Sequence, residues 1–172
     1  MPYGLLTDTM LSVVAKYVRD RVVYDLGAGD MQHARQIKAL GAENVIGVDT
    51  EKMDHGRLPP GVQFVHKRLQ DVPMPTPRPD VLFISWPVNR PMPGLVDWTW
   101  RAGKVIYLGS NLDGDCCGTP ALFEAFLQRD LLEHVTHRRN TLLVLGTPRE
   151  TLRTPTIEEL AGMDYSRVYT WP

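Results

Sequence analysis

Cysteine is nearly absent: the 172 residues hold two, Cys116 and Cys117, side by side. Neighbouring thiols are poorly placed to bridge one another, and without a second pair or a nearby histidine they fall short of a zinc site. A disulfide-stapled secreted fold is therefore not expected, and no metal site is. Long apolar runs are missing as well; stretches such as Val81 to Ile84 and Leu142 to Leu145 are strand-sized and far too short to cross a bilayer. An excess of either charge is also lacking. Nineteen Lys and Arg against 20 Asp and Glu leave a net charge of -1, so no global field draws the chain to nucleic acid or to a membrane surface. The opening MPYGLLTDTM lacks the basic region and apolar core of a signal peptide. The expectation is a soluble, cytoplasmic chain forming one domain over 1–172, with a leading helix in 1–20, a core in 21–146 and a tail in 147–172.

What is present is a regular alternation of patterns. Leu6, Met10, Val13, Val14 and Tyr17 recur at helical spacing. Arg21 to Leu26 reads as a strand, Asp30 to Leu40 as a helix stopped by Gly41, and Asn44 to Val48 as a second strand. Val62 to Val65, Val81 to Ser85 and Lys104 to Leu108 are three further short apolar runs of the kind buried on both faces of a parallel sheet. Thr119 and Pro120 look like the cap and first residue of a helix running to Leu132. Glu133 to Arg138 and Thr141 to Leu145 then have the spacing of a hairpin. Proline clusters at Pro73 to Pro79 and Pro87 to Pro93 mark ordered loops around the fourth strand, and Thr156 to Ala161 is a short helix candidate in the tail. The fold class is α/β: a three-layer, doubly wound, Rossmann-like sheet, mostly parallel, of about seven strands.

The stretch Asp25-Leu26-Gly27-Ala28-Gly29-Asp30 stands where the first strand gives way to a helix. Small residues there let a ligand approach the backbone closely. A dinucleotide fingerprint would need a third glycine at position 32, where this chain has Gln32, and Asp30 would oppose a pyrophosphate. A cofactor with a sulfonium and an amino acid group would tolerate those acids. Asp49 closes the next strand twenty residues on, where a carboxylate can accept from both hydroxyls of a ribose.

In these two motifs the chain resembles the class I S-adenosylmethionine-dependent methyltransferases, and the order of elements from Arg21 to Leu145 agrees with theirs. The resemblance implies a seven-stranded sheet with its last strand antiparallel, and S-adenosyl-L-methionine as cofactor with S-adenosyl-L-homocysteine as product. It implies that Asp25, Gly27 and Gly29 surround the methionine part, that Asp49 holds the ribose, and that Thr50 and Glu51 edge the adenine. Where that family often has an acid after the third strand, this chain carries His66-Lys67-Arg68-Leu69-Gln70-Asp71, which puts Arg68 at the usual acidic position; with a longer loop, Gln70 or Asp71 would supply the adenine contact. Read without the family, the same residues are a glycine turn of another α/β domain with Asp49 as a helix cap.

Ser85-Trp86-Pro87-Val88 follows the fourth strand at the ligand-bearing end of such a sheet, which makes Ser85 and Trp86 the candidate substrate wall. It departs from the Asp/Asn/Ser-Pro-Pro-aromatic motif of nucleic-acid amino-methyltransferases at its second and fourth positions. Trp86 could stack on a planar substrate or simply pack. Asp97 and His66 are candidate bases, though each also reads as an ordinary surface or capping residue. The loop GSNLDGDCCGTP lacks the further ligands of a calcium site and reads as a substrate-side loop. Strand alternation would divide His134, His137, Arg138 and Arg139 between faces, and Trp98 with Trp100 suits a core or lid edge. The expected function is methyl transfer to a small molecule. A nucleic-acid methyltransferase using Lys67, Arg68, Arg78 and Arg90 with a partner is the second reading, and a non-catalytic cofactor-binding or scaffolding subunit the third. The sequence leaves the oligomeric state open.

Overall fold

The computed structural model describes residues 4–51, 54–88, 91–110, 117–138 and 140–148. The helix expected at Thr156 to Ala161 lies outside them. The first helix, α1 (Asp8–Val18), begins where the Thr7 side chain accepts from the Met10 amide at 3.3 Å, satisfying a donor that the helix cannot. Its apolar spacing puts Met10, Val13, Val14 and Val18 on one buried face. There follow β1 (Val22–Leu26), α2 (Gln32–Ala39), β2 (Asn44–Asp49), β3 (Val62–His66), β4 (Val81–Ser85), α3 (Leu95–Arg101), β5 (Lys104–Ser110), α4 (Pro120–Leu127), β6 (Arg129–His137) and β7 (Asn140–Pro148). Asp30 starts α2 by accepting from the Gln32 amide at 3.0 Å, and Gly41, at φ 101°, ends it as expected.

The strands form one seven-stranded sheet in the order β3-β2-β1-β4-β5-β7-β6. β7 pairs antiparallel with both β5 and β6, and the other pairings are parallel, so the doubly wound sheet with a reversed last strand is observed. Strand alternation divides the core into two layers. Val23, Val45, Val81, Phe83, Ile106 and Val144 face the side of α1 and α2, while Leu82, Ile84, Val105, Tyr107 and Leu143 face α3 and α4. Each such fully buried apolar side chain contributes roughly 1.5–3 kcal/mol relative to exposure. From β1 the chain crosses to β2 on one side and from β3 returns to β4 on the other. The switch point therefore lies between the carboxyl ends of β1 and β4, where doubly wound sheets bind ligands.

Three elements differ from the sequence expectation. The segment Leu95–Arg101 is helical although its pattern alone does not announce a helix: burying Leu95 and Trp98 against the sheet, with the Trp98 ring 5.1 Å from Tyr24, overrides the modest propensity of Val, Thr and Trp. α4 ends at Leu127 instead of Leu132, because Arg129 turns into the core and starts β6. Its guanidinium donates to Gly146 O at 2.6 Å, Thr99 O at 2.6 Å, Ala102 O at 2.7 Å and Gly103 O at 3.0 Å. Burial, with the charge of Arg78 second, lowers this group to about 10, so it stays charged at neutral pH. The hairpin register places His137 opposite Asn140, with Arg138 in the left-handed region at φ 54°, so the turn sits one residue earlier than its apolar boundaries suggest.

Candidate functional site

At the end of β1 the backbone enters the left-handed region twice, at Gly27 (φ 78°) and Gly29 (φ 50°), conformations that cost little for glycine alone. An added Cβ at either position would meet nothing within 4 Å, so the space over the turn is open to a ligand. The turn's amides point elsewhere. Gly27 N–H and Ala28 N–H both donate to Val48 O, at 2.9 and 3.2 Å, and Gly29 N–H donates to Asp49 Oδ2 at 2.9 Å. With all three committed to β2, the turn is not a cradle for phosphate, which needs unpaired amides.

Asp49 Oδ1 accepts from the Glu51 amide at 2.9 Å. A carboxylate has about four acceptor positions, so two remain for the hydroxyls of a ribose. Thr50 is exposed, and its carbonyl accepts from Nε2 of His66 at 2.9 Å. Gln70 is also exposed, in the 3-10 turn Leu69–Asp71. The backbone of that turn abuts Gly94, where a Cβ would come within 3.2 Å of Gln70 N.

Beneath the turn lies Asp25, 1% exposed. Neither of its carboxylate oxygens has a hydrogen-bond partner among the described residues. Burial first, then the charges of Asp49 and Asp30, push its carboxyl up to about 7. None of these three acids takes part in an ion pair among the described residues, nor do they form a group that could hold a metal ion. The cup thus combines a buried carboxylate with no partner among the described residues, two further carboxylates with acceptor positions left, and open space above two glycines, a set whose charge complements an organic cation.

Sequence reasoning missed what makes the turn this compact. A Cβ on Gly47 would lie 2.3 Å from Met31 Sδ and 2.9 Å from the Ala28 Cβ. The close helix-to-strand approach that a third glycine at position 32 would give a dinucleotide site is thus obtained from a glycine in the neighbouring strand. A glycine inside a strand pattern was the available signal. Missed also was the N-terminal segment. Gly4 lies directly on the indole of Trp86, and its carbonyl accepts from His33 Nε2 at 3.0 Å. His33 packs on Phe83, and burial lowers its pKa despite that hydrogen bond and the charge of Asp30. Nothing in the local pattern of either segment announces this contact.

On the β4 side of the switch point, Trp86 takes a positive φ of 48° and its amide donates to Leu108 O at 2.7 Å. Ser85, just before it, is half-buried. The loops after β4 and β5 are joined by Gly118 N–H donating to Pro87 O at 2.7 Å and by an antiparallel bridge between Val88 and Cys117. Beside this bridge is a recess of about 520 Å³, lined mainly by apolar residues including Val88, Met92, Leu95 and Leu122, with Asp97 its one charged lining residue among those described. Asn89, Arg90 and the run from Asn111 to Cys116, to which the aspartates of the substrate-side loop belong, lie outside the described residues. Of the four basic residues read as one surface, Lys67 and Arg68 are exposed just beyond β3, whereas Arg78 lies at the opposite end of the strands, near Arg129.

No protein-family model and no curated protein matches the chain. Solved structures do. A protein from Pyrococcus horikoshii described as an RNA methyltransferase superposes with a TM-score of 0.62 at 14% identity, over 83% of this chain and 81% of the other. An S-adenosylmethionine-dependent methyltransferase from Mesorhizobium loti gives 0.61 at 12% identity, over 83% and 98%. The ribosomal protein L11 methylase of Lactobacillus delbrueckii subsp. bulgaricus gives 0.58 at 18% identity, over 82% and 79%. The chain has the Rossmann-like fold of the class I S-adenosylmethionine-dependent methyltransferases.

Proposed function

We propose that the protein is an S-adenosylmethionine-dependent methyltransferase acting on a small molecule. The observation that carries this reading is the acidic cup: Asp25 buried without a partner among the described residues, beneath an open glycine turn that is itself tied to Asp49. Such a site suits a ligand that brings positive charge and a ribose. Gly27 and Gly29 would let the amino acid part of the cofactor approach the backbone, Asp25 and Asp30 would face its charge, and Asp49 would accept from the ribose hydroxyls. Thr50 and Gln70 remain the candidates for the adenine side. When bound, the cofactor supplies an electrophilic methyl group on a sulfonium.

For a displacement of this kind the protein's share of the rate is largely positioning. Ser85 and Trp86 stand across the switch point from the glycine turn, with Ser85 able to give or take one hydrogen bond to an acceptor and Trp86 held in place by the Leu108 carbonyl and by Gly4. The recess beyond them is of a size suited to small ligands. Asp97 on its wall is the carboxylate available to orient a polar group of an otherwise apolar acceptor. A nucleic-acid acceptor is the second reading, suggested by the names of fold neighbours; against it, Arg78 is at the opposite end of the strands from Lys67 and Arg68.

Calorimetric titration with S-adenosylmethionine tests the cofactor: binding that weakens in Asp49→Ala supports the reading, and no binding to the wild-type chain refutes it. Incubation with methyl-labelled cofactor and a fractionated cell extract tests the acceptor. Label in the small-molecule fraction is expected, and label confined to RNA would establish the second reading in its place.

A further inference from the structure

The surroundings of Asp25 bear on how a cation could enter. Both of its oxygens are buried, with no hydrogen-bond partner among the described residues. β2 adds the carboxylate of Asp49, and the turn adds that of Asp30. From β4 the residue in register with Asp25 is the apolar Phe83. α2 brings His33 to the same side, packed on Phe83 and hydrogen-bonded to Gly4 O, where burial favours its neutral form. α1 lines this layer with Met10, Val13 and Val14, and Leu6 just before it joins them. No Lys or Arg among the described residues pairs with Asp25, so none of those residues balances a charge there. An ionised carboxylate so placed lacks both solvation and a counter-charge, and the cheaper state is the protonated one.

We propose that Asp25 is uncharged in the free protein and gives up its proton when the cationic cofactor enters, so that binding and proton release are one event. This rests on the proposed cofactor. The balance is simple: the neutral carboxyl loses its proton to solvent, and the resulting carboxylate faces the positive charge that the ligand brings. The open space above Gly27 and Gly29 is where that charge can arrive without first displacing a protein group. The cup therefore selects for cations while avoiding a buried bare charge in their absence. A consequence is that affinity rises with pH until Asp25 is already ionised in the free protein.

Titration of the full chain with S-adenosylmethionine, in buffers of equal pH but different ionisation enthalpy, counts the protons released. Release of roughly one proton per ligand is expected near pH 6, shrinking toward zero near pH 8.5 as the free carboxyl ionises. Asp25→Asn should abolish the release, and His33→Gln should leave it in place. Binding without proton release at either pH would overturn the proposal while leaving the cofactor assignment standing, and so would a release that survives in Asp25→Asn. No binding at all would overturn the cofactor reading and this proposal with it. Should the asparagine variant not fold, the wild-type buffer series decides alone.

Discussion

The Gly29 amide donates to Asp49 Oδ2 at 2.9 Å across twenty residues of chain, joining the glycine turn after β1 to the acid that closes β2. The two motifs are thus one piece of structure, and Asp49 both shapes the turn and presents its remaining lone pairs outward. Replacing Asp49 with Ala should weaken S-adenosylmethionine binding about 10- to 100-fold, the effect of losing hydrogen bonds to a charged acceptor. Asp49→Asn keeps an acceptor for Gly29 but one fewer for ligand and should fall between. Calorimetry on both variants checks the order, and equal affinity in all three proteins would remove Asp49 from the site.

Asp25 also sets a pH dependence of stability in the absence of ligand. Its carboxyl is raised from 3.8 to about 7 in the folded chain, so the folded state holds a proton that the unfolded chain releases. The stabilisation is full below about pH 4 and is lost as pH rises to about 7, and over that window it amounts to on the order of 4 kcal/mol. Asp25→Asn has no proton to lose. Denaturant unfolding from pH 4 to 8 should show the wild-type midpoint falling relative to that of the variant, and parallel profiles would mean that Asp25 ionises normally.

Much of this was legible in the residues themselves. Short apolar strands alternating with helical spacing dictate a covered parallel sheet, and the carboxylates around Gly27 and Gly29 argue against a phosphate cradle on charge alone. What could not be read is whatever depends on distant partners. Leu95–Arg101 is helical because Trp98 packs on Tyr24 of β1; Arg129 ends α4 because four carbonyls from α3, the turn after it and β7 converge on it. Gly4 and Trp86 meet across more than eighty residues with no local periodicity to announce it.

Gly47 offers a steric test of how the turn is held. An alanine methyl there would lie 2.3 Å from Met31 Sδ and 2.9 Å from the Ala28 Cβ. Overpacking of this kind typically costs about 1–3 kcal/mol. Met31→Ala makes room on one side, so the double variant should recover part of the loss caused by Gly47→Ala, although the shortened side chain itself leaves a cavity. A double-mutant cycle in urea measures the coupling. Additive effects would show that the helix and strand adjust independently.

Arg129 gives the clearest separation of stability from ligand binding. Its guanidinium fills a buried position and supplies donors to Thr99, Ala102, Gly103 and Gly146, tying the exit of α3 and the start of β5 to the far end of β7. A planar fork can satisfy acceptors that lie in several directions at once, whereas an ammonium offers three donors from one point. Arg129→Lys should therefore destabilise the fold by about 2–4 kcal/mol, and Arg129→Met, which preserves bulk but strands every carbonyl, by about 3–5 kcal/mol. Gly103 precedes β5 at the end of the sheet opposite the glycine turn, so folded Arg129→Lys should bind S-adenosylmethionine with wild-type affinity. Urea midpoints lowered in this order, with calorimetric affinity unchanged, are the expected result. An unchanged midpoint would mean that water satisfies those carbonyls equally well, and a lost affinity would mean that strain at this edge reaches the cup.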